Sequence, residues 1–181
     1  MRWESLFEDL EALLEAESAR EKTSEIQEAV RVERAREALI QRLSPQINAH
    51  VEVQLLGGDR LHGRLAALGK DWFMLRRGEI EELVPIHALS GWTQRTQGQR
   101  QDAGEPRIGL GQALRVLVRD RARISIGGID GSLLATGTLD QAGKDFLEIA
   151  RHERDEYRRA PALQGSSLVP IPVVAWVRRE N

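Results

Sequence analysis

The sequence predicts a mainly β protein with helices: an N-terminal α-helical arm, then two tandem five-stranded small barrels, each preceded by a helix. Three observations carry this expectation. Apolar residues near the start recur at helical spacing, the remainder of the chain repeats itself, and each copy alternates apolar and polar residues between glycine-rich turns.

The arm comes first. Trp3, Leu6, Phe7, Leu10, Leu13 and Leu14 follow the spacing of one helical face, with Glu4, Glu8, Asp9, Glu11, Glu15 and Glu17 between and after them. From Glu15 to Glu25 the stripe stops. Ser24 with Gln27 three residues later fits a capping box, and Ile26, Val30, Leu39, Ile40 and Leu43 continue to a stop at Ser44-Pro45. The arm, residues 1–44, is therefore one long or two helices. It holds 7 basic and 11 acidic groups, a net of -4, against 19 basic and 17 acidic groups, a net of +2, in the rest.

The repeat follows. Gly63-Arg64-Leu65-Ala66-Ala67-Leu68-Gly69-Lys70-Asp71-Trp72-Phe73-Met74-Leu75 lies 74 residues before Gly137-Thr138-Leu139-Asp140-Gln141-Ala142-Gly143-Lys144-Asp145-Phe146-Leu147-Glu148-Ile149. Both copies share Gly-x-Leu-x-x-x-Gly-Lys-Asp-aromatic-apolar-x-aliphatic. Each is followed by Leu-Val-Pro-Ile, at 83–86 and 168–171, and then by a stretch containing Trp92 or Trp176. In the first copy Val51, Val53 and Leu55 alternate with Glu52 and Gln54 as a strand, and Gly57-Gly58-Asp59 turns the chain. Arg60 to Leu68 is a second strand, Gly69-Lys70-Asp71 a tight turn, and Trp72 to Arg76 a third strand. A fourth covers Glu82 to Ile86, and a short fifth lies near Leu89 to Trp92. A proline in Leu-Val-Pro-Ile lacks a donor N–H, so that strand belongs at an edge or near its own end. Five short strands after a helix fit a small barrel, giving a first barrel at 45–92, a polar linker at 93–111, and a second barrel at 112–181. The second begins with its own helix and has a longer loop at about 151–167.

A helix followed by five short, bent strands resembles the Sm-like (LSm) small barrel, within the wider group of SH3-like barrels, over roughly 37–92 and 112–178. The resemblance implies RNA binding through the loop between the second and third strands and a loop before the fifth. In the family the first loop carries an Asp with an Asn a few residues later, and the second a basic residue next to Gly. Here Gly-Lys-Asp stands at 69–71 and 143–145, the Asn position holds apolar residues such as Phe73 and Leu147, and the second loop carries neither signature. The resemblance implies the fold; the family's RNA-binding motifs are not matched.

Composition narrows function. The net charge is -2 over 181 residues, which excludes a general polybasic nucleic-acid coat, and the absence of cysteine excludes disulfides, thiolate metal sites and thiol catalysis. No apolar run reaches the roughly 18 residues of a membrane span, and the start lacks the apolar run of a signal peptide, so a cytoplasmic location is expected. The glycines before Lys70 and Lys144 are spaced by five residues rather than four, with Asp instead of Ser or Thr after the lysine, so these are turns and not phosphate loops. Gly109-Leu110-Gly111 is a truncated dinucleotide fingerprint without a preceding strand. His50, His62, His87 and His152 lack ligand spacing, and no nucleophile elbow or zinc-protease motif occurs. No catalytic residue, metal ligand or cofactor is expected, and the chain is not read as an enzyme.

Two constellations remain. The stripe Trp3, Leu6, Phe7, Leu10 and Leu14 is the expected anchor for a protein partner or for self-association. Arg115, Arg119, Arg121 and Arg123 surround a single carboxylate, Asp120, and are the alternative, an RNA-phosphate contact. The expected function is a non-catalytic adaptor or scaffold; the alternative is an RNA-binding regulator using the arginines around 115–123.

Overall fold

The computed structural model describes residues 17, 20, 22, 23, 26, 27, 38–94, 108–151 and 165–179. The chain divides into two units, residues 1–39 and 40–181. In the first unit, residues 17, 20, 22, 23, 26 and 27 are helical, and the stripe from Trp3 to Leu14 lies outside the described residues.

The second unit is built on strands whose alternation is the one read from the sequence. In β1 (His50–Leu55) Val51, Val53 and Leu55 are buried while His50, Glu52 and Gln54 are exposed, because successive side chains leave opposite faces. β2 (Arg60–Leu68), β3 (Trp72–Arg77), β4 (Ile80–Pro85) and β5 (Leu89–Gln94) complete the first copy. A short helix, α1 (Leu39–Leu43), precedes β1. The second copy repeats the order: α2 (Leu110–Arg119), β6 (Arg123–Gly128), β7 (Leu133–Ala142), β8 (Phe146–Arg151), β9 (Ser166–Pro170) and β10 (Val174–Arg179). The repeat extends to single turns. Gly69 N–H donates to Trp72 O and Ile86 N–H to Asp71 O; in the second copy Gly143 N–H donates to Phe146 O and Ile171 N–H to Asp145 O, each at 2.8 Å. A Cβ on Gly69 or Gly143 would strike the ring of Trp72 or Phe146. The Gly-Lys-Asp-aromatic motif is thus a hairpin turn roofed by its own aromatic ring.

The expected fold class needs correcting. The ten strands do not form two barrels behind a helical arm; they join in one open antiparallel sheet, in the order β5-β1-β2-β3-β4-β10-β6-β7-β8-β9, with two short helices, α1 and α2, bounded among the described residues. Closing either copy on itself would require β4 to pair with β5, or β9 with β10. Instead β10 takes the free edge of β4, pairing Val177 with Leu83, Arg178 with Glu82 and Arg179 with Glu81. β5 and β9 remain as the two ends.

The cores interlock across this junction. Trp72 and Leu83 from the first copy are buried in the cluster formed by α2 and the second copy's strands. In return, Ala175 and Trp176 of β10 pack into the first copy's cluster around Phe73 and Val84. Each fully buried large apolar side chain contributes about 1.5–3 kcal/mol, so neither copy keeps its full core without the other.

Candidate functional site

The junction also leaves an opening. β3, β4, β10 and α2 surround an apolar cleft of about 210 Å³, lined by Met74 and Trp72 from β3, Leu83 from β4, Val177 from β10, Ala113, Val116 and Leu117 from α2, and Ile108 just before it. Its position follows from local chemistry. α2 is amphipathic, burying Leu110, Leu114 and Leu117. Its start is tied to the first copy: Leu110 N–H donates to Asp71 Oδ1 at 2.7 Å, while Lys70 N–H and Trp72 Nε1 both donate to Ile108 O, at 2.9 and 3.1 Å. The turn of the first copy therefore fixes the helix of the second. Val116 and Ile108 are half exposed, at 50% and 52%, on the open side of the cleft.

The rim is charged, but its charges are engaged. Arg76 Nη2 lies 2.6 Å from Glu81 Oε1. Arg179 Nη1 lies 3.5 Å from Asp120 Oδ2, and Arg119 Nε lies 3.9 Å from Asp120 Oδ1. Deeper in the junction Arg178 reaches Glu82 Oε1 with Nε at 2.9 Å and Nη2 at 2.7 Å, and its guanidinium lies 4.5 Å from the centre of the Trp176 ring. Trp176 Nε1 in turn donates to Asp59 Oδ2 at 2.9 Å. A charged ligand would have to compete with these pairs, whereas an apolar group meets a surface without unmet polar demand.

The sequence-selected residues fall in different places. Trp3, Leu6, Phe7, Leu10 and Leu14 lie outside the described residues. Arg115 and Arg119 are exposed on the outer face of α2, Arg121 is exposed just beyond its end with φ at 47°, and Arg123 is half-buried at the start of β6. Arg115, Arg119 and Arg121 are thus exposed along and just after α2, and Arg119 is brought to Asp120. Of the histidines, His87 Nε2 lies 3.0 Å from Val174 O, a link to β10; His50 and His62 are exposed, and His152 lies outside the described residues. Among the described residues no three of His, Cys, Asp and Glu converge as a metal site would require. None of their helices is long and apolar enough to cross a membrane. Hydrogen bonds from the Ser132 hydroxyl and backbone N–H hold Asp130 below the usual carboxylate range, in the turn between β6 and β7.

Sequence reasoning missed the cleft. Its local signal is Val116, an apolar residue between the phases of the buried set Leu114 and Leu117 and beside Arg115. The other walls come from β3, β4 and β10, which no local pattern brings together. Comparison with known protein families and with curated proteins finds no match to this chain.

Proposed function

We propose that the chain is a non-catalytic adaptor that acts through protein contacts. The observation that supports this best is the apolar cleft at the β4–β10 junction, whose rim charges are already paired within the chain. Such a cleft accepts an apolar side chain from a protein partner, and burial of one large side chain is worth about 1.5–3 kcal/mol of association. The stripe of Trp3, Leu6, Phe7, Leu10 and Leu14 is the second contact in this reading, because an apolar helical face with two aromatic residues is an efficient anchor.

The test is affinity purification of the full chain from its native cell extract, with and without RNase, beside two variants. Val116→Glu places a charge on a half-exposed position without disturbing the buried helix face, and a triple change of Trp3, Leu6 and Phe7 to Ala removes the stripe. The expected result is a stoichiometric protein partner that survives RNase and is lost or at least about tenfold weaker with Val116→Glu. A partner retained by both variants rejects both contacts.

A second reading draws on Arg115, Arg119 and Arg121, exposed along and just after α2, with Asp120 shared between Arg119 and Arg179. Here the chain binds RNA phosphates through these exposed guanidinium groups. This reading expects RNA in the untreated sample and binding that weakens steeply with salt, with a smaller slope once these arginines are neutralised.

A further inference from the structure

On its open side the cleft runs onto a surface whose charge is not balanced. Val116, half-exposed at the mouth, stands three residues before Arg119 on α2, a spacing that sets two side chains next to each other on a helix. Arg119 stands four residues after Arg115, so the two guanidinium groups are neighbours as well. Negative charge is scarce around them. Asp120 serves both Arg119, at 3.9 Å, and Arg179, at 3.5 Å, and the Arg119 side chain is 83% exposed. Arg115 is exposed and has no ion-pair partner among the described residues. Three arginines around one aspartate leave this flank with an excess of two positive charges, and Arg121, exposed just beyond the helix, has the same sign. The remaining walls are neutral: Glu81 matches Arg76, and Lys70 stands beside Asp71 near Ile108.

We propose that the cleft takes one large apolar side chain from an acidic segment of a partner protein, whose carboxylates lie along Arg115 and Arg119. This rests on the adaptor reading and gives its partner a chemistry. An apolar cavity of about 150 Å³ holds a benzene ring, so a cleft of about 210 Å³ holds one aromatic or branched aliphatic side chain. The flank then selects what the cleft holds. Carboxylates beside Arg115 and Arg119 form charge-assisted hydrogen bonds, whereas a lysine-rich segment brings like charge to a positive surface. A nucleic-acid phosphate meets the same arginines, but it leaves unused the apolar mouth that adjoins them at Val116.

The experiment pans a random-peptide display library at low salt against the full wild-type chain and three variants. These are Val116→Lys, Arg115→Gln with Arg119→Gln, and Arg115→Glu with Arg119→Glu. Arg115 and Arg119 are exposed and Val116 is half-exposed, so each variant is expected to keep the wild-type unfolding midpoint. Wild type is expected to enrich peptides with a large apolar residue and Asp or Glu within about one helical turn of it. The acidic bias is expected to vanish with the Gln pair and to turn to Lys and Arg with the Glu pair. Val116→Lys adds positive charge, so loss of the same acidic peptides with it reports the cleft and not the charge. By calorimetry the best wild-type peptide is expected to bind the Glu-pair chain about tenfold more weakly or worse. That gap is expected to narrow as the Debye length falls from about 10 Å at 0.1 M salt to about 3 Å at 1 M. Peptides lost with Val116→Lys but without acidic bias, or bound equally by the Glu-pair chain, overturn this proposal and leave the adaptor reading standing. Peptides indifferent to Val116→Lys, or none enriched, overturn both. RNA retained by wild type and lost with the Gln pair, while peptide selection is unchanged, assigns the arginines to RNA and overturns the proposal too.

Discussion

Glu81 and Glu82 are adjacent in sequence and carry the same group, yet the fold gives them different tasks. Glu81 pairs with Arg76 on a half-open surface, with side chains 23% and 46% exposed. Glu82 is 2% exposed and holds Arg178 through one oxygen, while that guanidinium also covers Trp176. An exposed pair contributes under about 1 kcal/mol, whereas breaking a buried one leaves a charge without its partner and costs about 3–5 kcal/mol. Urea unfolding of Glu82→Ala is accordingly expected to lose several times the stability lost by Glu81→Ala. Equal losses would show that the junction pair is not the fastening described here. Nothing local in the sequence separates the two glutamates, because the partner that distinguishes them stands 96 residues away.

At the level of the elements, much was legible. The alternation of Arg60 to Leu68 predicts the bounds of β2, and Gly-Lys-Asp between apolar runs predicts the β2–β3 and β7–β8 turns, because both patterns depend on neighbours in the chain. The glycine of β6 was less legible. Gly127 lies within the strand opposite Trp176, where a Cβ would strike the indole ring. The ring needs that space to reach Asp59, so Gly127 serves packing between the copies rather than chain reversal. Gly127→Ala is expected to cost about 1–3 kcal/mol by overpacking and to change Trp176 fluorescence as the indole leaves Asp59. Gly111→Ala is the control: in the first turn of α2 a Cβ would meet only the Arg115 guanidinium, at 3.9 Å, and the change is expected not to destabilise. A Gly127→Ala protein of unchanged stability and fluorescence would mean that the indole is not held by this contact.

Across residues 40–181, the duplication predicts two alike halves but not how their edges meet. Each copy offers two edges, its fourth and its fifth strand (β4 and β5, β9 and β10), and local alternation cannot decide whether these close on themselves or on each other. The decision rests on long-range chemistry: Arg178 bonded to Glu82 across the β4–β10 pairing, Asp71 at the start of α2, and Trp176 reaching Asp59 in the other copy. The same contacts determine how residues 40–181 come apart. Two independent barrels would unfold in two steps, each insensitive to a change in the other. Two copies that exchange Trp72 and Leu83 for Ala175 and Trp176 lose part of both cores when the junction opens. Residues 40–181 are therefore expected to unfold in one cooperative transition, with the most protected amides of β2 and β7 exchanging at the same free energy. Trp176→Ala removes a side chain that packs in the first copy from a strand of the second, and is expected to lower both protections together by about 3–5 kcal/mol. If β2 lost protection while β7 kept it, the copies would be separate folding units and the shared sheet only a contact between them.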